Sequence, residues 1–374
     1  MNILVDGRAF VKTSAGISTF LQGSLGAWAE TSPQDTFYLA LPKKQHKTLC
    51  EQFFPPNVKW VVSDNFIFNH LPNLAWLLIM MPILCIRYHV DIYYSPLPCI
   101  PFLLKRKVKK IIVVHDVINI EYYDTMEWRN QLATWLLFNR SVKNADVIWT
   151  NSYYTKSCVE KYYVTRKCSN IFVGCSVNRK IYHKFDITDD IRDTIAKKYG
   201  ISGRFLMFVG SLEPRKNLGF LVSLMSKIWE KSHIPLVIVG AKGWKESGIS
   251  QVLDDPLFPK ESLIFCGYVP NHDLAVLYNM ATCFVSASLN EGFGMPQLEA
   301  FLCGCPVITA DNSAMSEVAK NKTGSLLIPG YNKDEWIERI TEFVDHHQEV
   351  NIREFDEYDW KRIMRDFTGT CFNT

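Results

Sequence analysis

Short apolar runs rich in β-branched residues alternate with longer amphipathic ones along most of this chain, the pattern of parallel sheets flanked by helices. In the first half the pattern predicts strands at Asn2 to Val5, Thr36 to Leu41, Val58 to Val62, Asp91 to Ser95, Lys110 to His115, Asp146 to Thr150 and Asn170 to Val173. Ile17, Phe20, Leu21, Leu25 and Trp28 share one face of a helix beginning just after Gly16, which puts Gly16 in a strand-to-helix loop. Arg179 to Lys198 lacks a strand pattern, and Thr188 is a good helix start, so the inter-domain connection is expected there. The alternation then restarts, with strands predicted at Phe205 to Val209, Pro235 to Val239, Ser262 to Cys266, Cys283 to Ser286, Val307 to Thr309 and Leu326 to Ile328. Two such sets predict an α/β protein of two Rossmann-like domains whose parallel sheets face each other across a cleft. No repeat or low-complexity segment interrupts them, and Tyr358 to Met364 reads as an amphipathic helix with no strand after it.

Length agrees with two domains, because 374 residues exceed what one core usually supports. A hydrophobic content of 48% with 21% charged residues is that of a globular protein, and a net charge of +3 gives no sign of a nucleic-acid partner. Eleven irregularly spaced cysteines, with no secretory leader before Ile3-Leu4-Val5, fit reduced thiols in a cytoplasm. Cys303-x-Cys305 lacks a second pair at zinc spacing and reads as packing. Leu74 to Ile86 is apolar throughout but, at thirteen residues, too short to span a bilayer, so a buried or interfacial helix is expected. Soon after it, Pro101-Phe102-Leu103-Leu104 runs into Lys105, Arg106, Lys107, Lys109 and Lys110. That pattern suits an anionic membrane surface, and equally a solvated loop before a strand.

Candidate chemistry centres on Ser286 to Pro306. A strand leads in, Gly292 and Gly294 allow a tight turn, and Pro296 suits the first turn of a helix that Gly304 ends. The helix start is a ready anion site, Glu291 and Glu299 flank it, and Glu299 can accept hydrogen bonds from hydroxyls beside a bound phosphate. A second loop, Gly210 to Asn217, places Arg215 and Lys216 after another strand, with Gly210 permitting close approach. Alone, such a pair reads as readily as solvated surface. Together, both loops fall at carboxyl ends of strands of one sheet. His115 and Asp116 abruptly close an apolar strand; they face a cleft, or Asp116 caps the next segment and His115 is structural. No Asp-x-Asp occurs, so no metal grip is expected and Arg215, Lys216 and helix N–H groups would neutralise a diphosphate. Neither a P-loop nor a nucleophile elbow is present.

GSLEPRKN, LVIVGAKGW, FCGYVPNHDLAVLYNMA and SLNEGFGMPQLEAFLCGCPVITADNSAMSEVA resemble, in order and spacing, the retaining glycosyltransferases of family four, which have the GT-B fold. The first half is a weaker match, carried by the Gly16 loop, His115-Asp116 and NADVIWTNSYYTKSCVEKYY. The resemblance implies that the last helix crosses back to the N-terminal domain, giving domains at 1–178 with 355–374 and at 179–354. It implies that Arg215 and Lys216 hold the donor diphosphate, Glu299 the ribose and Glu291 the transferred sugar. Backbone groups of Phe293, Gly294 and Met295 would touch the sugar and β-phosphate. Gly240 and the turn Gly267-Tyr268-Val269 would lie beside the base, His115 near the reaction centre and Gly16 along the phosphates. The expected reaction is metal-free and cofactor-free retaining transfer of a hexose, with GDP-mannose favoured and a UDP-sugar open, to a glycan or lipid-linked acceptor in surface polysaccharide synthesis. The expected place is the cytoplasm, peripheral at the inner face of the membrane. A sugar-nucleotide epimerase of the same architecture, which would need no acceptor, and a non-catalytic nucleotide-sugar binder are the alternatives.

Overall fold

A computed structural model describes residues 1–10, 15–42, 54–62, 71–117, 134–163, 170–240, 249–346 and 348–372. Ala241 to Trp244 of the sequence motif lie outside the described residues. The chain divides into two compact units, one formed by Met1–Val177 with Tyr358–Thr374 and the other by Asn178–Glu357.

The first unit contains β1 (Asn2–Asp6), α1 (Ala15–Thr31), β2 (Thr36–Leu41), β3 (Val58–Val62), α2 (Asn73–Arg87), β4 (Ile92–Ser95) and β5 (Lys109–Val114). A π-helical turn, Thr134–Asn139, leads into α3 (Arg140–Asn144), followed by β6 (Val147–Thr150), α4 (Tyr153–Tyr162) and β7 (Ile171–Val173). All pairings are parallel, in the order β3-β2-β1-β4-β5-β6-β7. Strands buried on both faces explain the unbroken apolar runs. Leu4, Tyr93, Ile112 and Ile148 pack against Trp76, Met81 and Leu84 of α2 and Val159 of α4. On the opposite side α1 sets Phe20 against Trp149 (ring centroids 5.6 Å apart) and Trp28 against Tyr94 (5.7 Å).

The second unit begins with α5 (Asp189–Tyr199), capped by Thr188, whose side chain accepts the Ile191 N–H, and ended by left-handed Gly200 at φ 68°. Then come β8 (Leu206–Val209), α6 (Leu218–Ser232), β9 (Leu236–Val239), α7 (Ile249–Leu253), β10 (Leu263–Gly267), α8 (Asn271–Met280) and β11 (Cys283–Ser286). The unit ends with α9 (Met295–Leu302), β12 (Val307–Ala310), α10 (Ser313–Ala319), β13 (Ser325–Ile328) and α11 (Lys333–Asp345). The parallel order is β10-β9-β8-β11-β12-β13. The described cysteines, Cys303 and Cys305 included, are free thiols.

The last helix, α12 (Trp360–Phe372), returns to the first unit. Phe367 stacks on Trp149 at 4.5 Å, and Trp360 meets Phe20 at 5.1 Å over Gly23 of α1.

Two expectations need correction. Gly16 is the second residue of α1, not part of the preceding loop; in the first turn, where N–H groups have no intrahelical partner, a glycine interrupts no hydrogen bond of its own. Lys109 and Lys110 belong to β5, so the strand claims them: Lys109 donates to the Cys371 carbonyl under the Phe372 ring, and Lys110 donates to Val108 O at 2.8 Å and pairs with Asp146 at 3.4 Å. The exposed basic run is therefore Lys105, Arg106 and Lys107.

A Cβ on Gly23 would lie 2.2 Å from Trp360 Nε1, whereas one on Gly26 would meet nothing within 4 Å. Gly26→Ala should stabilise the protein by roughly 0.5–1 kcal/mol through helix propensity. Gly23→Ala should instead destabilise it by about 1–3 kcal/mol through overpacking. Urea titrations of the two variants check the contrast; equal responses would show that Trp360 does not seat on Gly23.

Candidate functional site

Strand order in the second unit reverses between β8 and β11, and in such sheets the ligand crevice opens outside the carboxyl ends at that point. The loop after β8 carries Pro214, Arg215 and Lys216 in one 3-10 turn, and left-handed Asn217 (φ 52°) then launches α6. The loop after β11 carries Glu291 and ends at Gly294, whose φ of 90° turns the chain into α9 with Pro296 as its second residue. Two helix amino ends thus open at one place. The backbones are joined directly, because Leu289 N–H donates to the Arg215 carbonyl at 2.8 Å. Ser313 Oγ accepts the Glu291 N–H at 3.1 Å.

The charged side chains of these loops meet. Lys216 Nζ donates to Glu291 Oε1, and Arg215 Nη1 donates to Glu291 Oε2 at 3.0 Å. The Arg215 Nε donates to Glu213 Oε2 at 2.8 Å. Lys216 and Glu291 are both buried. Burial disfavours the charged Glu291 carboxylate, but Lys216 and Arg215 outweigh it and hold its pKa below the ordinary value. Burial likewise opposes the Arg215 charge, and Glu291 and Glu213 overcome it. The site therefore presents two fixed cations, both already engaged by a carboxylate.

Glu299 lies one turn into α9, in a different environment. It is buried and, among the described residues, no cation pairs with it; Tyr278 OH, itself buried on α8, donates to Oε2 at 3.1 Å. Burial pushes the Glu299 pKa up to about 7 against the pull of that hydrogen bond. Tyr278 was not legible as a site residue, because beside Leu274 and Leu277 it reads as one more core position of an amphipathic helix.

Beside the cluster a cavity of about 470 Å³ is lined, among the described residues, by Leu212, Ile238, Gly240, Leu253, Phe265, Cys266 and Gly267. Gly240 is indispensable to its wall, since a Cβ there would lie 1.9 Å from the Gly210 carbonyl oxygen. Gly210 N–H donates to Val239 O at 3.0 Å and Gly240 N–H to Gly267 O at 2.9 Å, so glycines end three neighbouring strands. Of the expected base contacts, Gly240 and Gly267 line the cavity; Tyr268, largely exposed, and Val269, buried, are not among its described lining residues. Phe293 is buried and Met295, the first residue of α9, is half-buried.

His115 and Gly16 belong to the first unit. His115 directly follows β5, packs edge-on against Phe20 at 4.9 Å, and its Nε2 lies 2.9 Å from Pro96 O. A carbonyl only accepts, so Nε2 carries the proton and Nδ1 is left as an acceptor. Burial lowers its pKa to about 4, against the Pro96 bond, so the ring is neutral at physiological pH. At the reversal point of this sheet, between β1 and β4, Arg8 donates from Nε and Nη2 to Asp6 at 2.9 and 2.7 Å, and Ser95 Oγ donates to Asp6 at 3.2 Å. This buried pair was missed from the sequence. Its signal is two opposite charges two residues apart at the carboxyl end of the first strand.

Residues 191–354 match the family described as glycosyl transferases group 1. This segment is a group 1 glycosyltransferase domain. The O-antigen chain mannosyltransferase B of Escherichia coli is 34% identical over 128 residues, covering 33% of this chain and 33% of that protein. The O-antigen chain mannosyltransferase RfbU of Salmonella typhimurium is 28% identical over 258 residues, 68% of this chain and 67% of that protein. Among solved structures, sucrose-phosphate synthase from Thermosynechococcus elongatus superposes with a TM-score of 0.74 at 14% identity, covering 99% of this chain and 98% of that one. Anabaena HepE in complex with UDP gives 0.72 at 16% identity, with both chains fully covered. The parallel sheets of seven and six strands are the GT-B fold. The glycosyltransferase domain contains both charged loops and Glu299.

A carboxyl whose folded pKa is raised destabilises the fold progressively as pH climbs from the unfolded value near 4.5 to the folded value near 7. Glu299→Gln removes that burden. The variant should gain on the order of 3 kcal/mol over the parent at about pH 8 and less than about 1 kcal/mol at about pH 5. Urea midpoints at the two pH values check this, and a gain independent of pH would refute the buried-carboxyl account.

Proposed function

We propose that this chain is a retaining, metal-independent hexosyltransferase. In this reading it moves a sugar, most favourably mannose, from a nucleoside-diphosphate donor to a glycan or lipid-linked acceptor in surface polysaccharide synthesis. The observation that carries the reading is the meeting of Arg215 and Lys216 with two helix amino ends at the β8/β11 reversal, the charge arrangement a diphosphate requires. The mannosyltransferase relatives support mannose and hence a GDP-linked donor; the UDP bound by HepE keeps a uridine donor as the alternative.

Because Glu291 already occupies both cations, donor binding is an exchange of anions. Phosphate oxygens take over Arg215 and Lys216, and the freed Glu291 carboxylate turns to hydroxyls of the transferred sugar. Backbone groups of Phe293, Gly294 and Met295 hold the sugar and β-phosphate. Glu299 takes the ribose hydroxyls, and the base enters the cavity walled by Gly240 and Gly267. The bond from the anomeric carbon to the diphosphate breaks while the acceptor oxygen bonds on the same face, and the acceptor proton passes to the departing phosphate. The two cations stabilise that leaving group. The reaction is assigned to the cytoplasm, where a lipid-linked acceptor is met at the inner face of the membrane.

Lys216→Ala should lower turnover on the order of 100-fold or more while acceptor binding persists. The same change leaves Glu291 with Arg215 as its remaining cation and should destabilise the protein by about 1–3 kcal/mol. Lys216→Met with Glu291→Gln removes the buried carboxylate together with its lost partner, so it should recover stability without recovering transfer. Near-normal turnover by either variant would sink the diphosphate assignment. A thermal-shift panel of GDP- and UDP-sugars identifies the donor, since a ligand at about 100 times its Kd adds roughly 2.7 kcal/mol. GDP-mannose is expected to give the largest shift, and a flat panel would overturn the reading.

A further inference from the structure

The outer side of α2 is the most apolar exposed helix face described in the molecule. Trp76, Leu77, Met80, Met81, Leu84 and Cys85 are buried against the sheet, yet Ile79, Ile83 and Ile86, spaced four and three residues apart, are 44%, 46% and 55% exposed. That spacing is one row along the helix. The loop after β4 adds a second apolar projection, with Phe102 exposed and Leu103 78% exposed. Arg140 fixes this loop by donating to Ile100 O at 3.1 Å and lying 4.5 Å from the Phe102 ring.

Both projections lie on one side of the first sheet. The buried face of α2 and the loop residues Ile100 and Val108 share a core with Leu4, Tyr93 and Ile112, which point to a single face of the strands. The loop returns to the amino end of β5, where Val108 N–H donates to Lys105 O and Lys109 N–H to Asp91 O, just beyond the carboxyl end of α2. Exposed Arg87, Lys105, Arg106 and Lys107 therefore stand at one end of the isoleucine row. From residue 71 to residue 110 the only acid is Asp91, which accepts the Asn2 N–H. An apolar row beside a cationic rim with almost no opposing charge is complementary to an anionic lipid surface, where acyl chains receive the row and headgroups the rim. A second copy of the chain would bring like charges together. Among the described residues no helix is long and apolar enough to cross a membrane, so α2 would lie along the surface.

We propose that α2 and the Phe102-Leu103 loop are a membrane-docking face, with Lys105, Arg106 and Lys107 selecting anionic lipid. This face is separate from the charged loops of the glycosyltransferase domain, and its test does not depend on the donor assignment.

Flotation of the full chain with vesicles of phosphatidylglycerol and phosphatidylcholine tests it. The parent protein should float with mixed vesicles, not with pure phosphatidylcholine, and high salt should release it. Lys105→Ala/Arg106→Ala/Lys107→Ala should weaken binding about a hundredfold. Ile79→Ser/Ile83→Ser should weaken binding to the mixed vesicles about tenfold or more. Lys227→Ala/Lys231→Ala, an exposed pair on α6 of the other unit, should leave flotation unchanged. Urea midpoints of all three variants should match the parent, which separates loss of docking from loss of fold. Flotation indifferent to lipid charge, flotation unaffected by both the Lys105 and the Ile79 sets, or a dimer in sedimentation that Ile79→Ser/Ile83→Ser dissolves would each overturn the proposal.

Discussion

A buried carboxylate shared by two cations is the constraint on which the second unit is organised. Removing a charged side chain from water is expensive unless a partner repays it, and Lys216, nearly as buried as Glu291, has that carboxylate as its ion-pair partner. Everything around the pair serves to bring it together. The reversal of strand order places the loops after β8 and β11 side by side, the Leu289 to Arg215 backbone bond fixes their spacing, and left-handed Asn217 and Gly294 start the two helices at the right place. With Glu213 on the outer side of Arg215, the cluster is close to neutral before any ligand arrives. Such a site is affordable to fold, and in the proposed reading an incoming diphosphate would replace a partner instead of meeting bare charge.

The first unit rests on a different interaction, the interleaving of aromatic rings between α1, the sheet and α12. Phe20 touches His115, Trp149 and Trp360, and Phe367 touches Trp28, Trp149 and Phe172. This packing ties residues from opposite ends of the sequence into one core. It also immobilises the His115 ring, whose other edge is held by Pro96. A histidine gripped on both sides and neutral is suited to a fixed hydrogen-bond role and unsuited to shuttling protons near neutral pH.

Much of this was legible in the sequence, for a physical reason. Parallel strands buried on both faces read as unbroken β-branched runs, so all thirteen were placed to within a residue or two. Arg215, Lys216, Glu291 and Glu299 stood out because a strand, a glycine loop and a helix start bracketed them. What could not be read is who pairs with whom. Nothing in the spacing says that Glu291 reaches back some seventy-five residues to both cations, or that Tyr278 donates to Glu299 from the neighbouring helix. The basic run near residue 105 misled in a similar way. Five cations in a row look like one surface, but β5 begins inside the run and turns Lys109 and Lys110 to local partners.

The two glutamates of the motif, eight residues apart, show how one stretch of chain yields two chemistries. Glu291 sits in the loop, where two cations keep it ionised despite burial; Glu299 sits one turn into α9, where Tyr278 donates a hydrogen bond and no cation answers, so its carboxyl titrates near neutrality. The fold tolerates the second arrangement at a loss of stability above neutral pH, and its packing gives no reason to keep a carboxyl there when glutamine would fit the same space. A buried carboxyl whose pKa is raised toward neutrality is a functional-site candidate. In the proposed reading Glu299, more than the well-paired Glu291, is the residue that meets the donor's ribose hydroxyls.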